Sequence, residues 1–476
     1  MGSEAGEESG SSTAGVFSRY LRALAWRPVV GYSCLSTWTQ IVFSDRFASA
    51  ASGGASTIAV VHMAGSALAL LTALALVFLA RAVAPLSGRR AVVGATGLLA
   101  ALSAVGLALI DQGIMSPDCL VVCNGLAAVT SVVLMLAWYE RLAARGVVGV
   151  LATLGAAAIV GSAFYFVVMA LAGPWGDLLL AVLPLVAAGL LVVAPATAPA
   201  LPVPASTGLA TSLASVRSIV PLLIIVGLAN YANGTYLNLA LEIPTATGLA
   251  GVAYESLSRM VTVLPAVVLA AVCVRAHIRV AFCISTGCVL VASLITFAWP
   301  EAPIQLLLLL VHAGVELMGF LTVAVLVEAV EQRRASATLL FALYSVVLFA
   351  GTLVGQVSSA VFAHNRALTA VLLMVVLVAM LMLAFMAHDS IAHPGSLVAP
   401  TPAAAADPLD QLAQTCGLSP RELDVARLWV AGHNSAYIEE TLSISKHTVR
   451  THLKNIYGKT HTANKEELIR LVEKTS

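Results

Sequence analysis

Twelve apolar stretches, each close to the length a helix needs to cross a bilayer, constrain this chain more than anything else in it. They fall at roughly 28–44, 57–80, 91–110, 119–138, 147–172 and 176–194, and then at 218–241, 252–274, 278–298, 303–329, 337–363 and 367–387. Hydrocarbon offers no hydrogen bonds, so a backbone there must satisfy its own amides, and stretches of about 20 residues do so as helices. The composition points the same way. With 59% hydrophobic and 10% charged residues and a mean hydropathy of +0.95, the chain is no ordinary soluble globular protein, and most of it belongs in lipid. The formal charge of +1 averages a membrane part with a cytosolic part and says little.

The stretches divide six and six. Between about 195 and 217 runs a connection rich in Pro, Ala and Ser, with Pro195, Pro199, Pro202 and Pro204, which cannot continue a helix. Arginine placement tests this layout independently of hydropathy. With the N-terminus in the cytosol, thirteen arginines from Arg19 to Arg334 lie on the inner side and only Arg46 and Arg366 lie in outer loops. That asymmetry sets the orientation in the cytoplasmic membrane, and an even number of spans returns the C-terminus to the cytosol. The expected organisation is a cytosolic, largely disordered segment at 1–27, a twelve-span domain at 28–390 with halves 28–194 and 218–387, a Pro- and Ala-rich tether at 391–417, and a soluble domain at 418–476. The late first apolar stretch, with no small-residue cleavage pattern after it, argues against a cleavable signal peptide.

From Leu418 to Val472 the pattern changes to dense helix starts and stops. Ser419-Pro420-Arg421-Glu422 combines a capping hydroxyl, a proline at the first helical position and a glutamate that can reach back. Gly432 stops that helix. A second helix at about 435–442 leads through Ser443-Ile444 to Ser445, which can cap a third helix ending near Lys459. At 100° per residue, Val449, Leu453 and Ile456 share one face of the third helix, turned toward Leu423, Ala426, Val430 and Ile438. His447, Arg450, Thr451 and Lys454 share the other. From Lys446 to Lys459 there are four Lys or Arg and no acid, a face suited to the electronegative major groove. The domain as a whole is barely basic, with nine Lys or Arg against seven Asp or Glu from Leu418 onward, so affinity must come from where the charge sits.

The run Leu418-Ser419-Pro420-Arg421-Glu422-Leu423, followed by Gly432, Ile444-Ser445, Thr448-Val449-Arg450, His452, Asn455-Ile456-Tyr457 and Lys459, resembles the LuxR-type helix-turn-helix over about 55 residues. The resemblance implies that Arg450, Thr451 and Lys454 read bases, that Lys446, His447, Thr448 and Lys459 lie near phosphates, and that a fourth helix, capped by Asn464, dimerises through Ile469 and Val472. Glu439 stands where the family usually has a small alanine, and Thr460-His461 where it has Leu-Gly. The membrane part is similar, in architecture only, to the major facilitator superfamily: two six-span halves joined by a longer cytosolic connection. Its loop Ala84 to Arg90 has a Gly and two Arg but not the acid of that superfamily's signature.

Polar groups inside the spans mark candidate ligand positions, because an ionisable group in mid-membrane must face the interior and pair or bind something. The second half holds Asn230, Tyr231, Asn233, Tyr236 and Asn238 in the seventh span, Glu255 and Arg259 in the eighth, and His312 and Glu316 in the tenth. The first half offers Gln40, His62 and Asn124. Glu316 reads equally as a ligand or proton site and as a structural acid. Glu255 and Arg259, four residues apart, can pair with each other. The seventh-span run either loosens its helix to line a cavity or bonds neighbouring helices. Among these, Asn230, Asn233, Tyr236, Glu255, Arg259 and Glu316 are the candidate ligand-binding set. The seven cysteines read as small buried hydrophobes. No phosphate-cradling loop, nucleophile elbow or metal cluster is visible, so neither an enzyme nor a cofactor is expected.

These features predict an all-α protein: a polytopic six-plus-six helix bundle with a C-terminal four-helix LuxR-type domain. The function expected of it is that of a membrane-bound one-component transcription regulator. Its expected partners are DNA, the lipid bilayer, a small molecule sensed in the membrane and a second copy of the chain. The rival expectation is a transporter with an appended DNA-binding or interaction domain.

Overall fold

The computed structural model describes residues 24–47, 54–171, 173–193, 219–241, 278–299, 302–331, 336–362, 366–386, 409, 412, 416–430, 434–442, 445–460, 462 and 464–474. The chain divides into two compact units, Met1–Leu397 and Val398–Ser476. Every regular element among the described residues is helical. In the first half of the first unit these are α1 (Trp26–Val42), α2 (Gly54–Val83), α3 (Arg90–Asp111), α4 (Leu120–Ala143), α5 (Gly146–Ala170) and α6 (Pro174–Val193). The second half contributes α7 (Val220–Leu241), α8 (Ile278–Ala298), α9 (Ile304–Glu331), α10 (Ala337–Val361) and α11 (Arg366–Met386). A helix thus stands at eleven of the twelve expected spans, and the remaining one, 252–274 with Glu255 and Arg259, lies outside the described residues.

Eight of the described helices are long and apolar enough to cross a membrane by length and composition. Their outward faces carry Leu71, Phe78, Leu98, Leu102 and Val193, all exposed. In water such a surface would drive association; against lipid tails it is simply solvated. Inward faces must then be told apart by something other than hydrophobicity, and here that is small size and hydroxyl groups. In the first half α1 lies along α5, where Ser33 Oγ donates to Ala157 O at 3.0 Å and Thr37 Oγ1 to Gly161 O at 2.9 Å. In the second half α8 lies along α9, where Ser285 Oγ donates to Gly314 O at 2.6 Å. The halves meet where α10 packs along α2 and where α9 meets α5.

The tightest seam in the second half joins α7 to α10. A Cβ at Gly234 would stand 2.2 Å from Thr352 O, one at Gly351 2.2 Å from Gly227 O, and one at Gly355 2.1 Å from Tyr231 O. The two backbones are therefore in direct contact, which only glycine allows. Tyr231 and Ser358 close the same seam with a hydroxyl pair at 2.8 Å.

Two carboxylates tie the ends of the bundle. Glu140, buried near the end of α4, accepts from Leu86 N at 3.1 Å, from Ser87 N at 2.7 Å and from the Thr338 hydroxyl at the start of α10. It thereby joins the α2–α3 loop of one half to a helix of the other. At the opposite end Asp177, in the first turn of α6, pairs with Arg46 at 2.6 Å and accepts from Gln112 Nε2 at 2.9 Å. Three segments distant in sequence meet on that one buried acid.

The second unit holds α12 (Pro420–Val430), α13 (Ser435–Leu442), α14 (Lys446–Thr460) and α15 (Lys465–Lys474). Its core is Val425, Ala426, Ile438, Val449, Leu453, Ile456 and Leu468, with Leu409 and Leu412 from before the first of these helices. Residues 431–433 and 443–444, with the expected stop at Gly432 and the turn before Ser445, lie outside the described residues.

Candidate functional site

In the second unit, α12 begins as its sequence requires. Glu422 N donates to Ser419 Oγ at 3.3 Å while Glu422 Oε2 accepts from Ser419 N at 2.8 Å, a reciprocal cap. The same carboxylate, only 4% exposed, takes Lys459 Nζ at 2.6 Å, and that ammonium also donates to Gly417 O at 3.0 Å. The end of α14 is thus pinned to the start of α12. Arg421 donates to Leu442 O at 2.6 Å and closes the end of α13. Asn434 Oδ1 caps α13 through Tyr437 N at 2.9 Å, and Asn464 Oδ1 caps α15 through Glu467 N at 2.9 Å.

Burial alone would push the Glu422 carboxyl up, but the Lys459 and Ser419 hydrogen bonds and the Lys459 charge outweigh it and hold it at about 2, against 4.5 for an ordinary glutamate. Because the folded value lies below the unfolded one, the stabilisation is complete above about pH 4.5 and drains away as the pH falls toward 2. Melting of the C-terminal unit within the full chain, followed by Trp429 fluorescence, should therefore weaken through that window, and Glu422→Gln should flatten the dependence while lowering stability at neutral pH.

Ser445 Oγ caps α14 by accepting from Thr448 N at 3.1 Å and bonds the Thr448 hydroxyl at 2.8 Å. Val449 and Ile456 are fully buried, Leu453 nearly so, and they pack against Val425, Ala426 and Ile438, with Leu423 and Val430 at the edge. Burying that stripe turns the opposite face outward. Lys446, His447, Arg450, Thr451 and Lys454 are exposed and Thr448 is half-buried. Lys446, Arg450 and Lys454 follow at intervals of four and form one cationic row; His447 and Thr451 stand beside it, with Thr451 Oγ1 donating to His447 O at 3.0 Å. Lys459 is set apart from that row by its bond to Glu422.

Where α14 ends, buried Thr460 donates to Ile456 O at 2.8 Å and pairs with Thr462 at 2.9 Å, while Thr462 N reaches Tyr457 O at 3.1 Å. The Thr462 amide thereby takes up one of the carbonyls left open at the end of the helix, as a glycine turn usually does. Trp429 Nε1 donates to Tyr457 OH at 2.8 Å, and Lys465 Nζ lies 4.6 Å from the Trp429 ring centre, so the approach to α15 is braced from α12. Leu468 is the inward residue of α15, Leu471 and Val472 pack at the edge of the same core, and Ile469 is half-buried.

Two helices in series with only residues 443–444 and the cap Ser445 between them, an inward apolar stripe and an outward cationic row make a helix-turn-helix. Residues 417–472 match the model of the bacterial regulatory proteins, luxR family. This segment is a LuxR-type DNA-binding domain. The first unit is similar in fold to the major facilitator superfamily proton:xylose symporter XylE bound to 6-bromo-6-deoxy-D-glucose, with 14% identity and a TM-score of 0.52, over 79% of this chain and 96% of that one. It is similar also to the human organic anion transporter MFSD10, with 14% identity and a TM-score of 0.50, over 78% of this chain and 98% of that one. At such identities the likeness is one of fold. No curated protein matches the chain in sequence. The protein therefore joins a LuxR-type domain to a helical unit whose fold is similar to that of these two transporters.

In the membrane unit the candidate ligand residues fare differently from one another. The seventh-span run forms one unbroken helix, α7. Asn230 Nδ2 donates to Val226 O at 2.9 Å, and Tyr236, fully buried, shares its hydroxyl with Thr296 at 2.7 Å on α8. Of the two alternatives for this run, bonding to its own backbone and to neighbouring helices is what these side chains do. Asn233 is half-buried. Glu316 is exposed on α9 between half-buried Val315 and buried Leu317, with half-buried His312 one turn away. Elsewhere in the unit Tyr32 and Tyr139 of the first half and Tyr344 of the second come together, Tyr32 half-buried and the other two buried. These belong to an aromatic cluster that sequence reasoning missed: Tyr32 OH donates to Tyr139 OH at 3.2 Å, Tyr139 stacks on Phe341 with ring centres 4.9 Å apart, and Tyr344 meets Tyr139 edge-on at 6.2 Å. Lone tyrosines in apolar spans were the available signal, but helical periodicity cannot bring α1, α4 and α10 together.

Proposed function

We propose that this protein is a membrane-bound one-component transcription regulator whose membrane unit senses a small molecule and whose C-terminal domain binds an inverted-repeat operator as a dimer paired through α15. The single observation that carries the reading is the exposed row Lys446, Arg450 and Lys454 on a LuxR-type α14, in one chain with a membrane fold. Arg450, Thr451 and Lys454 read base edges. Lys446, His447 and Thr448 meet phosphates, and Lys459, bonded to Glu422, adds its charge near the backbone while holding α14 in place. The bundle lies in the cytoplasmic membrane with both termini in the cytosol, an orientation that the arginine asymmetry supports. Ligand binding shifts the population toward the arrangement in which two C-terminal domains can pair on DNA. Of the candidate ligand residues, Glu316 is favoured as an exposed ionisable group within an apolar span, with Asn233 next; Asn230 and Tyr236 support the site by holding α7.

The test is a footprint of the full-length protein, in membrane vesicles, on DNA flanking its own gene. Protection of a two-fold symmetric site with half-sites about one helical turn apart is the expected outcome. Absence of protection at low salt, where electrostatic binding is strongest, would remove the regulator reading. The transporter-like fold keeps one rival in view: accumulation of a labelled solute in vesicles, abolished by Glu316→Ala, with no operator binding, would make the protein a transporter carrying an interaction domain.

A further inference from the structure

The helix α14 runs unbroken from Lys446 to Thr460 and carries one glycine, Gly458. A glycine inside a helix lowers stability relative to alanine, because it loses more backbone freedom on folding and leaves the backbone bare to water. The fold gives no reason for accepting that loss here. Gly417, the other glycine described in the second unit, has a φ of 65°, a left-handed value that favours glycine, whereas Gly458 has ordinary helical backbone. Close packing does not require it either. A Cβ at Gly234 or Gly355 would run into the backbone of a neighbouring helix, but a Cβ at Gly458 would meet nothing within 4 Å beyond its chain neighbours, and the residue is exposed.

Its position on α14 points to another reason. Gly458 comes nine residues after the fully buried Val449, which at 100° per residue is half a turn round, on the side directly away from the core. It comes seven residues after the exposed Thr451, so the two stand within about 20° of one line along the helix and about 10.5 Å apart on its axis, with exposed Lys454 between them. The major groove is about 12 Å wide. A helix that holds Thr451 and Lys454 over base edges therefore brings Gly458 up to the groove wall, which is built of deoxyribose and phosphate. The last turn of α14 presents its carbonyls, the negative end of the helix dipole, and repels phosphate, so the uncharged sugar is the part of the wall that fits there. Lys459, the next residue, is bonded to Glu422 and to Gly417 O and is drawn toward the start of α12.

We propose that Gly458 is a DNA-contacting position, where the missing side chain lets a deoxyribose of the groove wall lie directly against the backbone of α14. The glycine thereby sets how deep the helix sits, and so whether Arg450, Thr451 and Lys454 reach the base edges. A methyl group at this point would hold the wall away and lift the far end of the helix out of the groove. The inference rests on the DNA-binding reading above and adds to it a contact made by backbone instead of by a side chain. It also accounts for a helix that is less stable than its own fold requires.

Gly458→Ala and Gly458→Leu, made in the full-length protein in lipid nanodiscs, test it. Two quantities are measured on each preparation: the Tm of the C-terminal unit, and the affinity for a duplex spanning the site protected in the footprint, by fluorescence anisotropy over a range of salt. Both substitutions supply a better helix former, so Tm is expected to rise. Affinity is expected to fall by about fivefold or more with alanine, and further with the bulkier leucine. The slope of affinity against salt should stay as it is, because no cation is lost. A firmer helix that binds DNA less well is an outcome that a merely structural glycine cannot give. Unchanged or tighter binding by both variants overturns the proposal, as does weaker binding accompanied by a lowered Tm. In those cases operator binding by the unaltered protein still upholds the regulatory reading, whereas its absence removes both.

Discussion

Arg450→Ala and Lys454→Ala, combined in the full-length protein, should abolish specific operator binding while leaving the C-terminal domain folded. Both side chains are exposed and α14 keeps its buried stripe of Val449, Leu453 and Ile456, so neither truncation touches the core. A base-contacting side chain is worth about 1–3 kcal/mol of discrimination, which at tenfold per 1.4 kcal/mol is roughly 5- to 150-fold in affinity for each. The positions are one turn apart and share a groove, so the double variant is not simply the sum. Lys446→Ala should behave otherwise, weakening binding to all sequences alike and lowering the salt slope by about one. Fluorescence anisotropy against salt separates the two classes. If Arg450→Ala weakened specific and non-specific DNA equally, its assignment to a base edge would fail.

The second large effect lies in the membrane unit. Replacing Gly355 by valine places carbon 2.1 Å from Tyr231 O, and replacing Gly234 places it 2.2 Å from Thr352 O. In both cases the obstacle is backbone, which cannot swing aside as a side-chain tip can, so α7 and α10 must separate. Overpacking where side chains can yield typically costs about 1–3 kcal/mol; here the loss should exceed that, and α10 also lies along α2, so the contact between halves loosens with it. A fall in the yield of monodisperse protein, with lowered Tm, is the expected observation. Gly94→Ala is the control, because nothing lies within 4 Å of a Cβ at that position. If Gly355→Val left Tm where Gly94→Ala leaves it, the close seam would be refuted.

Much of the C-terminal domain was legible because its determinants are local. Ser419 and Glu422 are three residues apart, Asn464 and Glu467 likewise, and both caps form. The stripe of Val449, Leu453 and Ile456 follows from a 100° period, and its burial turns Arg450 and Lys454 outward. Lys459 marks the limit. The LuxR resemblance implies a place near phosphate for it; that its ammonium also lies 2.6 Å from Glu422, 37 residues earlier, is a pairing that no periodicity reports. The seventh span repeats the lesson. Its asparagines and tyrosines were equally compatible with a cavity and with bonds to neighbours until Thr296 and Ser358 came to face them.

By itself the sequence determined that the regular elements are helices, that most of the chain suits lipid, and that its last 60 or so residues form a helix-turn-helix with a cationic face. Hydropathy, helical period and capping need only neighbours along the chain. Only the tertiary structure decided how the polar groups of the spans are placed: Asn230 and Tyr236 hydrogen-bonded, Glu316 exposed on α9, and His62 Nδ1 and Asn124 Oδ1 buried without a hydrogen-bond partner. In apolar spans hydrophobicity is nearly uniform, so helix pairing is chosen by close contacts between small residues and by single hydrogen bonds across helices, and those depend on residues far apart in the chain.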